Sequence, residues 1–581
     1  MCSRRKINLN ITDFKQFRQG NYVYVDKSAF IEHLLDEGNT IMLFCRPRRM
    51  GKTMNLTMLR YFFDIKEEDT ASLFKGLYIE TKPIYQKRNS CPVIYLNFKS
   101  MSADNYAEIF LIRLKQELDR YLTLEQMSET IRHVYDNNFS IFYKSFSTKK
   151  QENDSEGFSG LWVPHFSIIA KNMLREATKN LYDVYGIKPY VLIDEYDKLI
   201  MDNINNSGFE DMRGFIKSVM SDTLKDNPYL MGAVITGVNR IAQESLFSDL
   251  NNITICDVFT EGGFDTDFGF TDEEVGTVSI EVSKSNQIKN NVISQSSLRQ
   301  WYNNCRIGKE AVYFSFSVLS ALQKGKLGNY WGQSGTMDMI RGHLTPQRVE
   351  LITKLVNGFP VTSHETYLKD RLTVNDLKTY NENRAFYSLL VQSGYLTYEH
   401  ILDEETLVPE EQRIFLPNYE LQRVWREFIF HGIYDGEPQA FKDILRDIRD
   451  TKSLGLDLTE AMNNKLSFYD FEHSEPEKTY HVYVAGIMSA LGYKWISNRE
   501  SGLGRYDLAV SLLKYNLIFE FKVADNADSV KQSAYEAVKQ IQKKRYMYDF
   551  DKNKPIFLIG IGFYKKLCWV EAEKLCPNTI N

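Results

Sequence analysis

Residues 46–53 could cradle phosphate groups. The run reads Arg-Pro-Arg-Arg-Met-Gly-Lys-Thr and stands between an apolar stretch and a helical pattern. Backbone N–H groups at the start of a helix bind anions, Lys52 is placed to reach the β- and γ-phosphates, and the Thr53 hydroxyl is placed to ligate Mg²⁺. The usual pattern is G-x-x-x-x-G-K-[ST], so Arg46 replaces its first glycine. The run predicts a P-loop site for ATP formed by Arg46, Pro47, Arg48, Arg49, Met50, Gly51, Lys52 and Thr53.

The three arginines of this run allow two interpretations. Arginine is always charged and presents five N–H donors. Arg46, Arg48 and Arg49 either form a solvated face or add positive charge where the missing glycine weakens the cradle. The sequence leaves both interpretations open.

A second polar set follows apolar runs further along the chain. Asp194 and Glu195 end one run, and Asn239 and Arg240 follow the next. In nucleotide hydrolysis an acid holds Mg²⁺ and a neighbouring group orients the attacking water. We expect Asp194 to hold the metal with Thr53, and Glu195 to polarise water unless it is purely structural. We expect Asn239 to sense the γ-phosphate and Arg240 to contact it.

A third set of charged residues lies near the C-terminus. Glu520 and Lys522 alternate within an apolar run, so both project from one face of a predicted strand. Asp507 precedes Glu520 by about the length of a short hairpin, which can bring the two carboxylates together. Paired carboxylates can hold Mg²⁺, and Lys522 can stabilise charge during phosphodiester hydrolysis. A buried Glu520–Lys522 ion pair is the alternative.

Three further residues could complete this acidic site. Glu477 lies near the start of a helical pattern, and Gln540 and Tyr546 are predicted on one later helix that also carries the basic run 543–545. Gln540 and Tyr546 could meet the active face or DNA. The basic run could equally be a solvated helix face.

Alternating strands and helices must position these residues. Short apolar runs without strict alternation are typical of strands covered on both faces, so we predict a parallel α/β sheet. The order of the motifs fits the additional-strand class of P-loop ATPases. The predicted strands are Thr40–Cys45, Pro92–Phe98, Tyr190–Asp194, Tyr229–Thr236 and Ile253–Phe259, and the helices between them include Lys52–Phe63, Tyr106–Leu122 and Phe209–Thr223.

Changes of pattern divide the chain into three regions. A P-loop α/β domain is predicted at 1–275, with a polar surface insertion at 138–160. A helical middle or lid region is predicted at 276–434. An α/β domain with strands at Leu517–Val523 and Pro555–Phe563 is predicted at 435–581.

The composition indicates an ordinary globular chain. Hydrophobic residues make up 43% and charged residues 25%, and the net charge of -5 argues against a wholly basic nucleic-acid coat. Seven scattered cysteines without a CxxC pair are typical of reduced thiols. No apolar stretch is long enough for a membrane helix. We therefore predict a cytoplasmic protein without a membrane partner.

The motifs resemble the AAA-ATPase-like family of bacterial proteins. The resemblance is carried by Tyr24–Lys27, Arg46–Thr53, Val191–Asp197 and Ser245–Asn252. In that family the Arg-Pro-Arg-Arg start is usual, which implies that Arg46 is a family trait. The resemblance also implies that Asp26 and Lys27 lie near the nucleotide.

This family commonly carries a PD-(D/E)XK nuclease-superfamily domain at its C-terminus. Asp507, Glu520 and Lys522 stand at positions similar to that signature, and Glu477 resembles the acid on the first helix of that fold. The resemblance implies a nuclease-like domain at 435–581. The superfamily includes inactive members, so catalysis does not follow from the spacing.

Three hypotheses follow from these patterns. In the first, ATP binding gates or powers a Mg²⁺-dependent nuclease that acts on nucleic acid, with DNA as the expected substrate. In the second, the protein is a non-catalytic ATP-dependent switch or binding module. In the third, it serves genome defence or a mobile element and needs an activator. A homo-oligomer or a protein activator is compatible with each hypothesis.

Overall fold

A computed structural model gives the fold. It describes residues 5–576 apart from 39, 68–69, 138–169, 242–251, 285–292, 333–339, 341–342, 363–367, 380–381, 403–408, 434–437, 447, 464–475, 498, 502, 552 and 566. The predicted insertion at 138–160 and most of the Ser245–Asn252 motif lie outside the described residues.

The strands and helices alternate through most of the chain. The strands are β1 Ile41–Cys45, β2 Val93–Asn97, β3 Tyr190–Asp194, β4 Gly232–Gly237, β5 Ile253–Cys256, β6 Cys305–Ile307, β7 Glu310–Val312, β8 Val361–Thr362, β9 Thr397–Leu402, β10 Pro409–Phe415, β11 Trp495–Ser497, β12 Glu500–Ser501, β13 Gly504–Arg505, β14 Leu508–Ser511, β15 Asn516–Val523, β16 Ile556–Tyr564 and β17 Leu567–Leu575. The α-helices are α1 Phe14–Gln19, α2 Ala29–Asp36, α3 Lys52–Phe63, α4 Ala71–Phe74, α5 Tyr106–Leu118, α6 Glu129–Asn137, α7 Met173–Tyr185, α8 Lys198–Asn203, α9 Phe209–Leu224, α10 Asp272–Lys284, α11 Gln295–Tyr302, α12 Ser315–Lys324, α13 Pro346–Val356, α14 Val374–Thr379, α15 Asn383–Gln392, α16 Tyr419–Glu427, α17 Pro438–Arg446, α18 Thr451–Asn463, α19 Pro476–Ala490 and α20 Val530–Lys544.

The first five strands form one parallel sheet in the order β2-β3-β4-β1-β5. Strands β1, β3 and β4 are buried along their whole length, as expected for apolar runs that carry helices on both faces. Strand β4 lies between β1 and β3, which is the arrangement of the additional-strand class. The predicted parallel α/β fold is confirmed.

Two predicted strands extend three residues beyond one end of the observed ones. Strand β4 begins at Gly232 rather than at Tyr229, and β5 ends at Cys256 rather than at Phe259. Strand β5 ends because the carboxylate of Asp257 accepts hydrogen bonds from the backbone N–H groups of Phe259 and Thr260 and so forms a turn.

The middle of the chain is helical, with short strands among the helices. Helices α10 to α16 follow the parallel sheet, as predicted. Strands β6 and β7 form an antiparallel pair, and β9 and β10 were not predicted. Strand β10 reads Pro-Glu-Glu-Gln-Arg-Ile-Phe. Because its first half is polar, it contains no apolar run that would predict a strand.

The C-terminal strands form a second, mixed sheet in the order β11-β14-β15-β16-β17. Strands β15 and β16 are parallel and are joined through α20, whereas the other pairs are antiparallel. Helix α20 lies close to β16 because Gly560 and Gly562 have no side chains to hold it away. A Cβ atom at either glycine would run into the backbone of α20.

The chain separates into two compact units. The first contains residues 1–331 and 363–412, and the second contains 332–362 and 413–581. The domain boundaries predicted at 275/276 and 434/435 stay a prediction. In the described part of the chain, none of the helices has the length and apolar character needed to cross a membrane.

Candidate functional site

The loop between β1 and α3 has the backbone shape of a phosphate cradle. Arg49 and Gly51 adopt left-handed backbone angles, with φ of 62° and 85°. Gly51 is the N-cap of α3, so the free N–H groups of the first helical turn open onto the loop. Left-handed residues within a tight loop turn successive N–H groups toward a common centre, which is how such loops bind anions.

Lys52 is held inside this loop. Its ammonium group donates to the carbonyl oxygens of Arg46 and Pro47, at 2.9 and 2.8 Å. Burial lowers the pKa of Lys52, whereas the nearby carboxylates of Asp197, Asp194 and Glu195 act in the opposite direction. A buried cation bonded only to neutral carbonyls favours an anionic partner at this position.

Asp194 accepts hydrogen bonds from side chains of three neighbouring elements at the edge of the sheet. Its buried carboxylate accepts hydrogen bonds from Thr53 at 2.8 Å, Thr236 at 2.6 Å and Asn97 at 3.2 Å. The structure thus brings Thr53 and Asp194 together. Sequence reasoning missed Asn97 and Thr236, although both stand at the carboxyl ends of strands that neighbour β3, where ligand groups collect in parallel sheets.

Glu195 has a strained backbone conformation and, among the described residues, a carboxylate oxygen without a hydrogen bond. Its φ of 55° is left-handed, which is costly for a residue with a side chain. Its Oε2 atom is buried and has no hydrogen-bond partner in the described part of the chain. Burial raises the pKa of Glu195, and the charge of Asp194 raises it further. A strained, unpaired carboxylate fits a reactive role better than a purely structural one.

Arg46 does not belong to a solvated face, and its side chain does not extend the cradle. It is 1% exposed, and its guanidinium group donates to the carbonyl oxygens of Cys45 at 3.2 Å, Cys256 at 2.7 Å and Phe264 at 3.4 Å. It therefore ties the loop to the end of β5. Any contact of Arg46 with a phosphate would be made by its backbone.

The other loop residues are also fixed from outside. Arg49 donates to the carbonyl oxygen of Tyr330 at 2.7 Å and lies over the ring of Phe316, so the solvated-face interpretation is wrong for this residue as well. The carbonyl oxygen of Met50 accepts from the backbone N–H of Gly269 at 3.1 Å.

Asn239 and Arg240 each interact with an aspartate side chain. The carboxylate of Asp197 accepts from the backbone N–H of Asn239 at 2.8 Å and from its side-chain amide at 3.1 Å. The backbone N–H of Arg46 donates to the carbonyl oxygen of Gly237 at 3.0 Å, so the end of β4 that leads to Asn239 lies beside the loop. The guanidinium group of Arg240 instead pairs with buried Asp257 at 2.7 Å. Their predicted contacts with a γ-phosphate stay predictions.

Asp26 and Lys27 also have structural partners. The carboxylate of Asp26 accepts from the backbone N–H groups of Ser28 at 2.8 Å and Tyr78 at 2.6 Å. Lys27 donates to the carbonyl oxygen of Thr266 and pairs with Glu274, both at 2.7 Å. The role that the resemblance implies for them near the nucleotide stays a prediction.

The second unit brings the C-terminal acids together. Leu508 pairs with Phe519 across β14 and β15, which sets Asp507 beside Glu520. The Asp507 carboxylate accepts the backbone N–H of Phe521 at 2.8 Å, and the Asp507 carbonyl oxygen lies 3.0 Å from the His481 ring on α19. His481 is therefore a further residue of this site, and a lone histidine on a helix gave no signal in the sequence.

Helix α20 covers the charged face of β15. Gln540 donates to the Glu520 carboxylate, and Glu536 lies 3.5 Å from the Lys522 ammonium group. Gln540 and Glu536 are one turn apart, so Glu520 and Lys522 project from the same face, as predicted. In the described residues Lys522 pairs with Glu536 and not with Glu520, which removes the alternative of a buried Glu520–Lys522 pair.

Glu477 and Tyr546 lie within electrostatic reach of the two acids. The charge of Glu477, near the start of α19, raises the pKa values of Asp507 and Glu520. The prediction that Tyr546 lies on the same helix as Gln540 is wrong. Helix α20 ends at Lys544, Arg545 adopts a left-handed φ of 57°, and Tyr546 begins a separate 3-10 helix. The left-handed residue stops the helix and turns Tyr546 back toward Glu520.

The carboxyl groups of Asp507 and Glu520 are largely buried next to each other. Burial raises the pKa of Asp507 to about 6 and that of Glu520 to about 8, and Asp507 adds to the shift of Glu520. The Oε2 atom of Glu520 is buried without a hydrogen-bond partner among the described residues. No cluster of three or more His, Cys, Asp and Glu side chains suited to a metal occurs in that part of the chain. A pair of carboxylates suits Mg²⁺, which keeps several waters and substrate oxygens as ligands.

The fold and the two sites define the class of protein. The first unit is a P-loop protein of the additional-strand class, and the second carries paired acids of the metal-dependent nuclease type. Residues 8–247 match the family described as predicted AAA-ATPase, and residues 475–573 match the PD-(D/E)XK nuclease superfamily. The chain therefore carries an AAA-ATPase-like domain and a C-terminal PD-(D/E)XK domain, which confirms the resemblance. Domains of these kinds generally use a nucleotide and a divalent metal.

A curated relative extends this similarity to nearly the full length. The chain is 25% identical, over 577 residues, to an uncharacterized protein in the vnfD 5′ region of Azotobacter chroococcum mcd 1. The alignment covers 97% of each protein. The similarity thus spans both matched regions of this chain, and the relative's name assigns no activity.

Proposed function

We propose that this protein is an ATPase that gates or powers a Mg²⁺-dependent nuclease, with DNA as its substrate. The observation that carries the proposal is a buried glutamate oxygen without a hydrogen-bond partner at each of the two candidate sites. These atoms belong to Glu195 and Glu520, and the statement covers the described residues. Each glutamate lies close enough to an aspartate for the two charges to interact, and such orphaned acids are stable only when a cation or a proton joins them.

The first unit would bind ATP through its loop. Backbone N–H groups of residues 49–53 would hold the phosphates, and Lys52 would leave the carbonyl oxygens of Arg46 and Pro47 to reach them. Thr53 and Asp194 would hold Mg²⁺, which neutralises charge on the transferred phosphoryl group. Glu195 would orient the attacking water.

The second unit would hydrolyse phosphodiester bonds. Asp507 and Glu520 would hold Mg²⁺, which supplies an activated water and neutralises charge at the phosphate. Lys522 would stabilise charge on the phosphate, and Gln540 would orient Glu520. Nucleic acid follows as the substrate class from the nuclease superfamily, and DNA is the form to test first.

The proposal is tested by a cleavage assay with Mg²⁺, ATP and DNA. We expect Asp507→Ala to lower cleavage on the order of a hundred-fold without changing ATP hydrolysis. Lys52→Ala should abolish ATP hydrolysis and the effect of ATP on cleavage. The exposed residues Lys188 and Asp528 supply the control variants Lys188→Ala and Asp528→Ala. Failure of the wild-type protein to cleave any DNA or RNA would count heavily against the proposal.

A second candidate is an ATP-dependent switch without catalysis. It is favoured by the contacts of Asn239 and Arg240, which are bonded to Asp197 and Asp257 instead of being free for a γ-phosphate. This candidate predicts that DNA affinity differs between the ATP and ADP states while no DNA is cut. Equal affinity in both states, measured by fluorescence anisotropy, would remove it.

A further inference from the structure

We propose that Trp331 and Ser315 position the phosphate loop and make Trp331 a reporter of nucleotide binding. The inference rests on the proposed nucleotide site and concerns its regulation. Both residues belong to the first unit, as does the loop. Neither residue occurs in the phosphate-loop motif or in the acidic motifs that define the site.

Two side chains hold consecutive loop carbonyl oxygens from outside the loop. The Trp331 indole N–H donates to the carbonyl oxygen of Arg48 at 3.2 Å. The Ser315 hydroxyl donates to the carbonyl oxygen of Arg49 at 2.9 Å. The backbone N–H of Gly269 holds the next carbonyl oxygen, that of Met50. Three successive peptide groups are thus fixed on one side.

Fixing a carbonyl group also fixes the N–H of the same peptide. The peptide group is planar, and in the trans form its C=O and N–H point in opposite directions. All described peptide bonds are trans. The N–H groups of Arg49, Met50 and Gly51 are therefore directed away from Trp331, Ser315 and Gly269. These are the backbone donors that a phosphate would need, so the three external contacts preorganise the cradle before the nucleotide arrives.

Trp331 is itself held firmly. Its side chain is fully buried, and its ring packs against Phe314 and Tyr395, with centroids 5.3 and 4.7 Å apart. A movement of the Arg48 peptide must therefore change the hydrogen bond or the surroundings of the indole. Lys52 starts such a movement when it leaves the Pro47 carbonyl oxygen, because that oxygen belongs to the peptide that precedes Arg48.

Trp331 lies where the chain leaves the first unit, which connects its contact with the loop to regulation. Trp331 is the last residue of this stretch of the first unit, and the chain enters the second unit at Gly332. A change at the Arg48 peptide therefore acts on the residue from which the chain leaves the first unit. Trp331→Phe should therefore weaken the effect of ATP on cleavage.

The experiment uses tryptophan fluorescence of the full chain, which contains six tryptophans. Wild type, Trp331→Phe, Ser315→Ala and the control Trp301→Phe are titrated with Mg²⁺-ATP, and ATP affinity is measured separately by calorimetry. Trp301 is a half-buried residue of α11 in the same unit, so its replacement is a matched control. Ser315→Ala is a small change that removes one donor and retains the reporter.

We expect ATP to change the emission of wild type and of Trp301→Phe, and this change to be lost in Trp331→Phe. Trp331→Phe and Ser315→Ala should each weaken ATP binding about five-fold, the effect of one lost hydrogen bond. If wild type binds ATP while Trp331→Phe retains the full emission change and affinity, the inference fails and the proposed function stands. If wild type binds no ATP, both fail.

Discussion

At the scale of residues, Glu520 gives the second unit a dependence on pH. Burial raises its pKa from 4.5 to about 8, so the folded chain keeps this proton over a range in which the unfolded chain has lost it. The free energy of unfolding therefore falls as pH rises through that range. In the absence of metal, Glu520→Gln should raise it by about 2–4 kcal/mol at about pH 8 and by less than about 1 kcal/mol at about pH 5. Urea titrations measure both values.

The partner of Lys522 supplies the matched control. Glu536 is half exposed, so Glu536→Gln should leave the pH profile of the free energy of unfolding unchanged. Mg²⁺ should stabilise wild type at about pH 8 more than it stabilises Glu520→Gln, because the metal binds the carboxylate form. Parallel pH profiles for wild type and Glu520→Gln would contradict this account of the burial.

Some site residues could be predicted from their spacing in the sequence, whereas others could be interpreted only from the fold. The difference has a physical cause. Asp507 and Glu520 could be paired from the sequence because strand alternation and a hairpin fix their relative positions. Arg46 could not be interpreted, because its partners are carbonyl oxygens up to 218 residues away in the chain. A guanidinium group in a basic run gives no sign of which backbone oxygens will surround it.

At the scale of elements, two glycines set the contact between α20 and β16. A Cβ at Gly562 would run into the carbonyl oxygen of Val530, which is backbone and cannot rotate away. Gly562→Ala should therefore push α20 from the sheet and lower the free energy of unfolding by about 1–3 kcal/mol. Because α20 also carries Gln540, cleavage should fall as well. Chemical denaturation and the cleavage assay measure these effects.

Another glycine provides a control of opposite sign. Gly214 lies inside α9, and a Cβ there would meet no atom within 4 Å. Gly214→Ala should raise the free energy of unfolding by about 0.5–1 kcal/mol, because alanine favours the helix. Equal effects of Gly214→Ala and Gly562→Ala would show that close packing on β16 is not the cause.

Elements with uniform apolar character were predictable, and elements at polar surfaces were not. Strand β3 and helix α3 have the predicted bounds because their apolar patterns are bounded by polar residues. Strand β17 was missed because charged residues alternate with apolar ones along it, as on the partly solvated edge of a sheet. Alternation of this kind is weak evidence when it is not bounded by turn residues.

At the scale of the whole molecule, the two compact units should unfold in separate transitions. A ligand raises the stability only of the unit whose native state binds it, by about 2.7 kcal/mol at a hundred-fold excess over its Kd. We expect calorimetry to resolve two unfolding transitions, of which Mg²⁺-ATP raises the midpoint of one. Lys52→Ala should abolish that rise, whereas Asp507→Ala should leave it intact. Glu520→Gln should raise the other midpoint at about pH 8. A single transition that shifts as a whole with ATP would contradict separate unfolding and would mean that the units unfold as one cooperative body.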